Sequence, residues 1–174
     1  SRSARSRSAT NLACMTDVFI KQPREPRSAE AEAAGLRWLR EGSDCVAEVV
    51  GLDAERNILQ TRRVHEVSPT QEAARQAGRE LARIHAAGAE AFGAPPTGWE
   101  GPNYIGTQEQ ECTPHEHWGE FYANQRVLPF ARRAVEAGNL DAEGMALVAQ
   151  ACAAVVGTRW DIAPARIHGD LWAG

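Results

Sequence analysis

The sequence predicts an α+β fold. Two observations carry this: most of the β-branched and aromatic strand-like runs lie before residue 65, while stretches with helix start and stop signals fill most of the remainder. A third is the composition, 43% hydrophobic and 24% charged over 174 residues, which suits a globular protein with room for one domain or two small lobes. Disorder throughout is excluded.

Residues 1–14 contain three arginines and four serines without periodicity and read as a disordered tail or upstream read-through. Asp17 to Lys21 (Asp-Val-Phe-Ile-Lys) is a short strand that stops at the Pro-containing stretch 22–27. Ser28 is expected to N-cap a helix through Leu39 or Arg40, because Ala29 to Ala33 are mostly strong helix formers and acids suit a helix start. Cys45 to Leu52 and Asn57 to Val64 flank Asp53-Ala54-Glu55-Arg56 and predict a hairpin. Residues 15–66 thus form a strand, helix and hairpin lobe, and 67–174 a mainly helical part.

In that part, Ser68-Pro-Thr-Gln71 predicts a helix from Pro69 to about Ala87, stopped by Gly88, with Ala73, Ala77, Leu81 and Ile84 as its buried stripe. The Gly- and Pro-rich stretch Phe92 to Thr113 is a long loop. Thr113-Pro-His-Glu116 repeats the capping logic for a helix with Trp118, Phe121, Tyr122, Gln125 and Leu128 on one side, kinked at Pro129 and ended by Gly138. Its aromatics are assigned to core packing. Asp141 caps a last helix to about Val156, and a short apolar strand at Ala165 to Ile167 leads into His168-Gly-Asp-Leu-Trp-Ala-Gly174.

Charge narrows the function. Nineteen basic residues, of which 18 are arginine and only Lys21 is lysine, stand against 23 acidic ones, giving a net charge of -4. That balance argues against general nucleic-acid or anionic-membrane binding. The four cysteines, at 14, 45, 112 and 152, form no Cys-x-x-Cys pair, so a reducing cytoplasm fits best. Cys112, His115 and His117 are close in sequence, but two histidines two apart on a presumed helix face different ways, and no metal site is assigned.

Two constellations could carry chemistry. Lys21 ends a strand, and Glu32 follows eleven residues later on the next helix. An ammonium held by a carboxylate is fixed in direction and can reach the phosphates of ATP, whereas arginine offers a planar fork of different reach. A position needing only positive charge would be Arg in this composition, so the lysine is informative. Glu30 rivals Glu32 while the helix phase is open. The second constellation is His168-Gly-Asp170-Leu-Trp-Ala-Gly, whose spacing fits His-x-Asp-Leu-x-x-x-Asn, a catalytic loop in which the Asp orients the attacking hydroxyl.

Val18-Phe-Ile-Lys21, Glu32 to Leu39, Gly78 to His85, Phe92-Gly93, Ile105-Gly106, Trp118-Gly-Glu-Phe-Tyr122 with Gln125-Arg126, and Pro164 to Gly174 together resemble the fructosamine kinase (ketosamine-3-kinase) family. The likeness runs from Met15 to Gly174. It implies a two-lobed, protein-kinase-like architecture, related to aminoglycoside and choline kinases, that uses ATP and Mg²⁺ to phosphorylate the sugar 3-hydroxyl of ketosamines, small or protein-bound. The product then sheds its sugar, which amounts to protein deglycation. Carried over residue by residue, the resemblance makes Lys21 the ATP-phosphate lysine, Glu32 its partner and Asp170 the catalytic base, with Trp172 and His168 beside the substrate.

The likeness also has gaps. Residues 1–14 supply neither the two strands nor the glycine loop expected before Lys21. The Asn and the next-strand Asp that bind Mg²⁺ in this pattern fall beyond Gly174, and Leu59 to Val64 is more basic than expected. The expectation is a kinase fragment, inactive alone. The alternatives are another aminoglycoside- or choline-kinase-like phosphotransferase, or a non-catalytic helical binding remnant.

Overall fold

The computed structural model describes residues 17–171. The chain divides into two compact units, one reaching to His85 and including the stretch from Ile167, the other Ala86–Arg166.

The first unit holds a three-stranded antiparallel sheet, β1 (Val18–Lys21), β2 (Val49–Asp53) and β3 (Ile58–Arg62), in the order β1-β3-β2, with helix α1 (Ser28–Arg40) and helix α2 (Gln71–Ala86). Leu59 is its hub. Facing Lys21 on one side and Leu52 on the other, it lies with Ala29 and Ala33 in a fully buried cluster, flanked by Leu36 and Val49. The two alanines are one helical turn apart, and their small side chains let α1 approach the sheet closely. The hairpin strand expected from Cys45 begins only at Val49, and β2 is bulged between Val49 and Gly51. Arg62 pairs with Glu48 at 2.7 Å and Asp17 at 3.4 Å, and Arg63 donates to the Val18 carbonyl, so the basic character of this strand is spent within the sheet.

Three local features differ from the sequence expectation. Ser28 is not the N-cap of α1: Arg27 occupies that position in a left-handed conformation (φ 58°), and the acceptor for the Ala29 N–H is Oδ1 of Asn57 at 3.0 Å. Helix α2 begins at Gln71 rather than Pro69, because the Thr70 hydroxyl, not Ser68, accepts from the Ala73 N–H. Of its expected stripe, Ile84 is buried and Leu81 half-buried, while Ala73 and Ala77 are exposed.

The second unit contains a hairpin, β4 (Asn103–Ile105) with β5 (Gln108–Gln110), inside the expected loop, and Gly106 takes the left-handed turn position (φ 59°). Next come α3 (Trp118–Phe121), a π-helical turn (Tyr122–Val127), α4 (Leu128–Glu136) and α5 (Ala142–Gly157). The start expected at Thr113 is not made. Its backbone N–H and C=O are instead both held by the buried side-chain amide of Gln125. Pro129 disrupts the helix as expected, by way of the π turn: lacking an N–H, it leaves the Gln125 carbonyl without its i+4 donor, and the Arg126 guanidinium donates there at 3.2 Å. Asp141 does cap α5, accepting from the Gly144 N–H at 2.8 Å. No strand forms at Ala165 to Ile167. That segment is tied down by the Ala89 N–H donating to the Pro164 carbonyl and by Arg166 donating to the Gly88 carbonyl at 2.8 Å.

Candidate functional site

Lys21 and Glu32 are brought together. Because cross-strand partners share a face, the Lys21↔Leu59 register turns Lys21 toward the same side as Leu59, where α1 packs. Glu32 projects from α1 between the buried Ala29 and Ala33, and its Oε2 accepts from Lys21 Nζ at 2.6 Å. Glu30 is engaged elsewhere: its carboxylate takes two bonds from Arg27 and lifts that guanidinium above its ordinary value. Helix phase therefore selects Glu32. The pair is partly open to solvent, with side-chain exposures of 48% and 35%, so its ammonium is accessible to an anionic ligand.

His168 and Asp170 lie in the same compact unit as Lys21, on an irregular segment. Gly169 adopts φ 83°, and in the resulting turn the Asp170 backbone N–H donates to His168 Nδ1 at 3.2 Å. The Asp170 side chain is exposed. Trp172 lies outside the described residues.

Among the described residues no three His, Cys, Asp or Glu side chains gather to hold a metal ion. Cys112 instead accepts from Asn103 Nδ2 at 3.1 Å, and His115 lies 4.0 Å from Glu120. The described residues do not by themselves build a cage for Mg²⁺. No helix among them is long and apolar enough to cross a membrane.

Residues 10–174 match the fructosamine kinase family. The chain belongs to that family. It is similar to a Synechocystis sp. protein described as a ketoamine kinase, 36% identical over 100 residues that span 56% of this chain and 31% of the relative. A crystal structure of a Thermobifida fusca protein described as a fructosamine-3-kinase superposes with a TM-score of 0.79 at 40% identity, covering 89% of this chain and 54% of that one. A Haemophilus somnus structure at 20% identity, with a TM-score of 0.62, covers 79% of this chain and 46% of that one and supports the fold alone. The α+β, protein-kinase-like fold class is thus the one the sequence predicts. The chain spans about half the length of the solved relatives and about a third of the curated one.

Two polar constellations escaped the sequence reading. Asn57 bonds three backbone groups around the start of α1, and Glu80 is buried against Ser43. Their partners lie 28 to 37 residues away in sequence, beyond the reach of helix or turn periodicity. The one local signal was an asparagine closing a hairpin turn, a residue type that tolerates left-handed backbone.

Proposed function

We propose that this chain carries the nucleotide-phosphate and catalytic-base residues of an ATP-dependent kinase acting on the sugar 3-hydroxyl of fructosamines, free or protein-bound, in cytoplasmic deglycation. The observation that supports this best is the Lys21–Glu32 pair at 2.6 Å, joining strand and helix in a member of the fructosamine kinase family. Lys21 binds the phosphates, with Glu32 holding its ammonium in direction. Asp170 accepts the proton of the attacking hydroxyl as the new O–P bond forms and the bond to the departing ADP breaks. His168 sets the turn that presents Asp170, and Trp172 offers an indole face to the sugar. Because it spans about half the length of its solved relatives, the chain by itself is expected to bind ATP but not to turn over.

Two measurements test this. Titrated with ATP, the chain should bind with an affinity that Lys21→Ala reduces about tenfold or more, the scale of a lost charge-assisted hydrogen bond. The same variant should melt near the wild-type temperature, because an exposed ion pair contributes only about 0–1 kcal/mol. Absence of Lys21-dependent binding would leave a non-catalytic remnant as the better reading. A chain extended to the length of its relatives should phosphorylate a fructosyl-amine with ATP. Phosphorylation of aminoglycosides or choline instead would replace the substrate class.

A further inference from the structure

We infer that Asn57 is a positioning residue for the Lys21–Glu32 pair, and this rests on the nucleotide reading of that pair given above. Arg27 and Asn57 are the only non-glycine residues at positive φ among those described, at 58° and 54°. Both stand at the start of α1. Left-handed backbone is disfavoured for most side-chain-bearing residues, Arg27 among them, is better tolerated by asparagine, and persists where its surroundings hold it.

The bonds at Asn57 supply that hold. Its Oδ1 accepts from the Ala29 N–H at 3.0 Å, replacing the cap that no α1 residue provides. Its Nδ2 donates to the carbonyls of Pro23 at 2.9 Å and Glu25 at 2.8 Å, fixing the connection between β1 and α1. One side chain therefore ties the end of the hairpin turn to both the loop after Lys21 and the helix bearing Glu32. Two positions further along, Leu59 contacts the same helix through Ala29 and Ala33. Helix α1 is pinned to β3 by a polar point at Asn57 and an apolar one at Leu59, and these fix both its rotation and its axial position. Glu32 lies three residues past Ala29, so a shift of the helix start carries its carboxylate away from Lys21 Nζ.

The test uses the fact that Lys21 is the only lysine in the chain. Lysine labelled at the side-chain nitrogen gives one ammonium signal, whose shift reports the pairing with Glu32. Asn57→Gly removes all three bonds while leaving a residue at ease with positive φ, so backbone strain does not confuse the result. The Lys21 signal in Asn57→Gly should move most of the way to its position in Glu32→Gln. ATP affinity should fall about fivefold to tenfold, the scale of a lost helix cap. Asn57→Asp keeps the Ala29 bond but not the two donations, and should move the signal by an intermediate amount. That variant also reads the proposal if Asn57→Gly does not fold. A wild-type Lys21 signal in both variants, or in Asn57→Asp when it alone folds, overturns the positioning role. If ATP leaves the Lys21 signal unmoved in the wild type while Asn57→Gly displaces it, the nucleotide reading fails and the positioning role stands.

Discussion

Glu80 illustrates how one side chain couples folding to pH. It is 9% exposed on α2 and accepts from the Ser43 hydroxyl at 2.7 Å and from Arg83 at 2.8 Å. The Ser43 hydrogen bond, more than the arginine, holds its carboxyl below the usual range, while burial acts in the opposite sense. A carboxyl depressed in the folded state stabilises above its ordinary value of 4.5, and that stabilisation is lost as pH falls through the lower folded value. The wild-type melting temperature should therefore drop faster than that of Ser43→Ala between about pH 5 and pH 3, measured by circular dichroism. Equal slopes would show that Ser43 does not set the carboxyl. The Lys21–Glu32 pair was legible because it joins neighbouring elements and uses the only lysine. The Ser43–Glu80 and Asn57 bonds were not, since each depends on tertiary packing that brings distant segments together.

At the scale of elements, local chemistry was read well where it acts alone. The Asp141 cap, the break at Pro129 and the helix stops at Gly88 and Gly138, both at positive φ, need only residues within one turn. It was misread where a distant group competes. Ser28 lost its capping role to Asn57, and the Thr113 start was pre-empted by Gln125, whose amide satisfies both Thr113 backbone groups. Close approach of α3 to α5 was equally hidden. A Cβ at Gly119 would stand 2.7 Å from the Val155 carbonyl oxygen and 3.3 Å from the Trp160 indole nitrogen, which itself donates to that carbonyl. Backbone on one side and a bonded indole on the other leave little room to yield. Gly119→Ala should destabilise by about 1–3 kcal/mol, which lowers the melting temperature by roughly 2–4 °C for each kcal/mol in a chain of this size. An unchanged melting curve would mean that the two helices separate at little cost.

At the scale of the whole molecule, α5 carries the least resolved demand. Its sequence, Ala142–Gly157, is apolar almost all round with Glu143 its only charge, yet Cys152 is its only buried residue and Leu147 stands 61% exposed. A helix of that composition is ordinarily covered on more than one side, and exposed apolar faces promote association. The isolated chain should therefore self-associate, with a weight-average sedimentation coefficient that rises with concentration. Leu147→Lys places a charge on that face without removing a buried contact, so it should flatten the concentration dependence while stability stays within about 0.5 kcal/mol. ATP affinity should be unchanged in the variant, because Lys21, Glu32 and Asn57 belong to the other compact unit. Equal association of the two proteins would move the adhesive surface away from α5, to the exposed side chains of Ile162 or Leu171. Association that falls together with nucleotide binding would instead mean that the bare face of α5 and the lysine site are not independent.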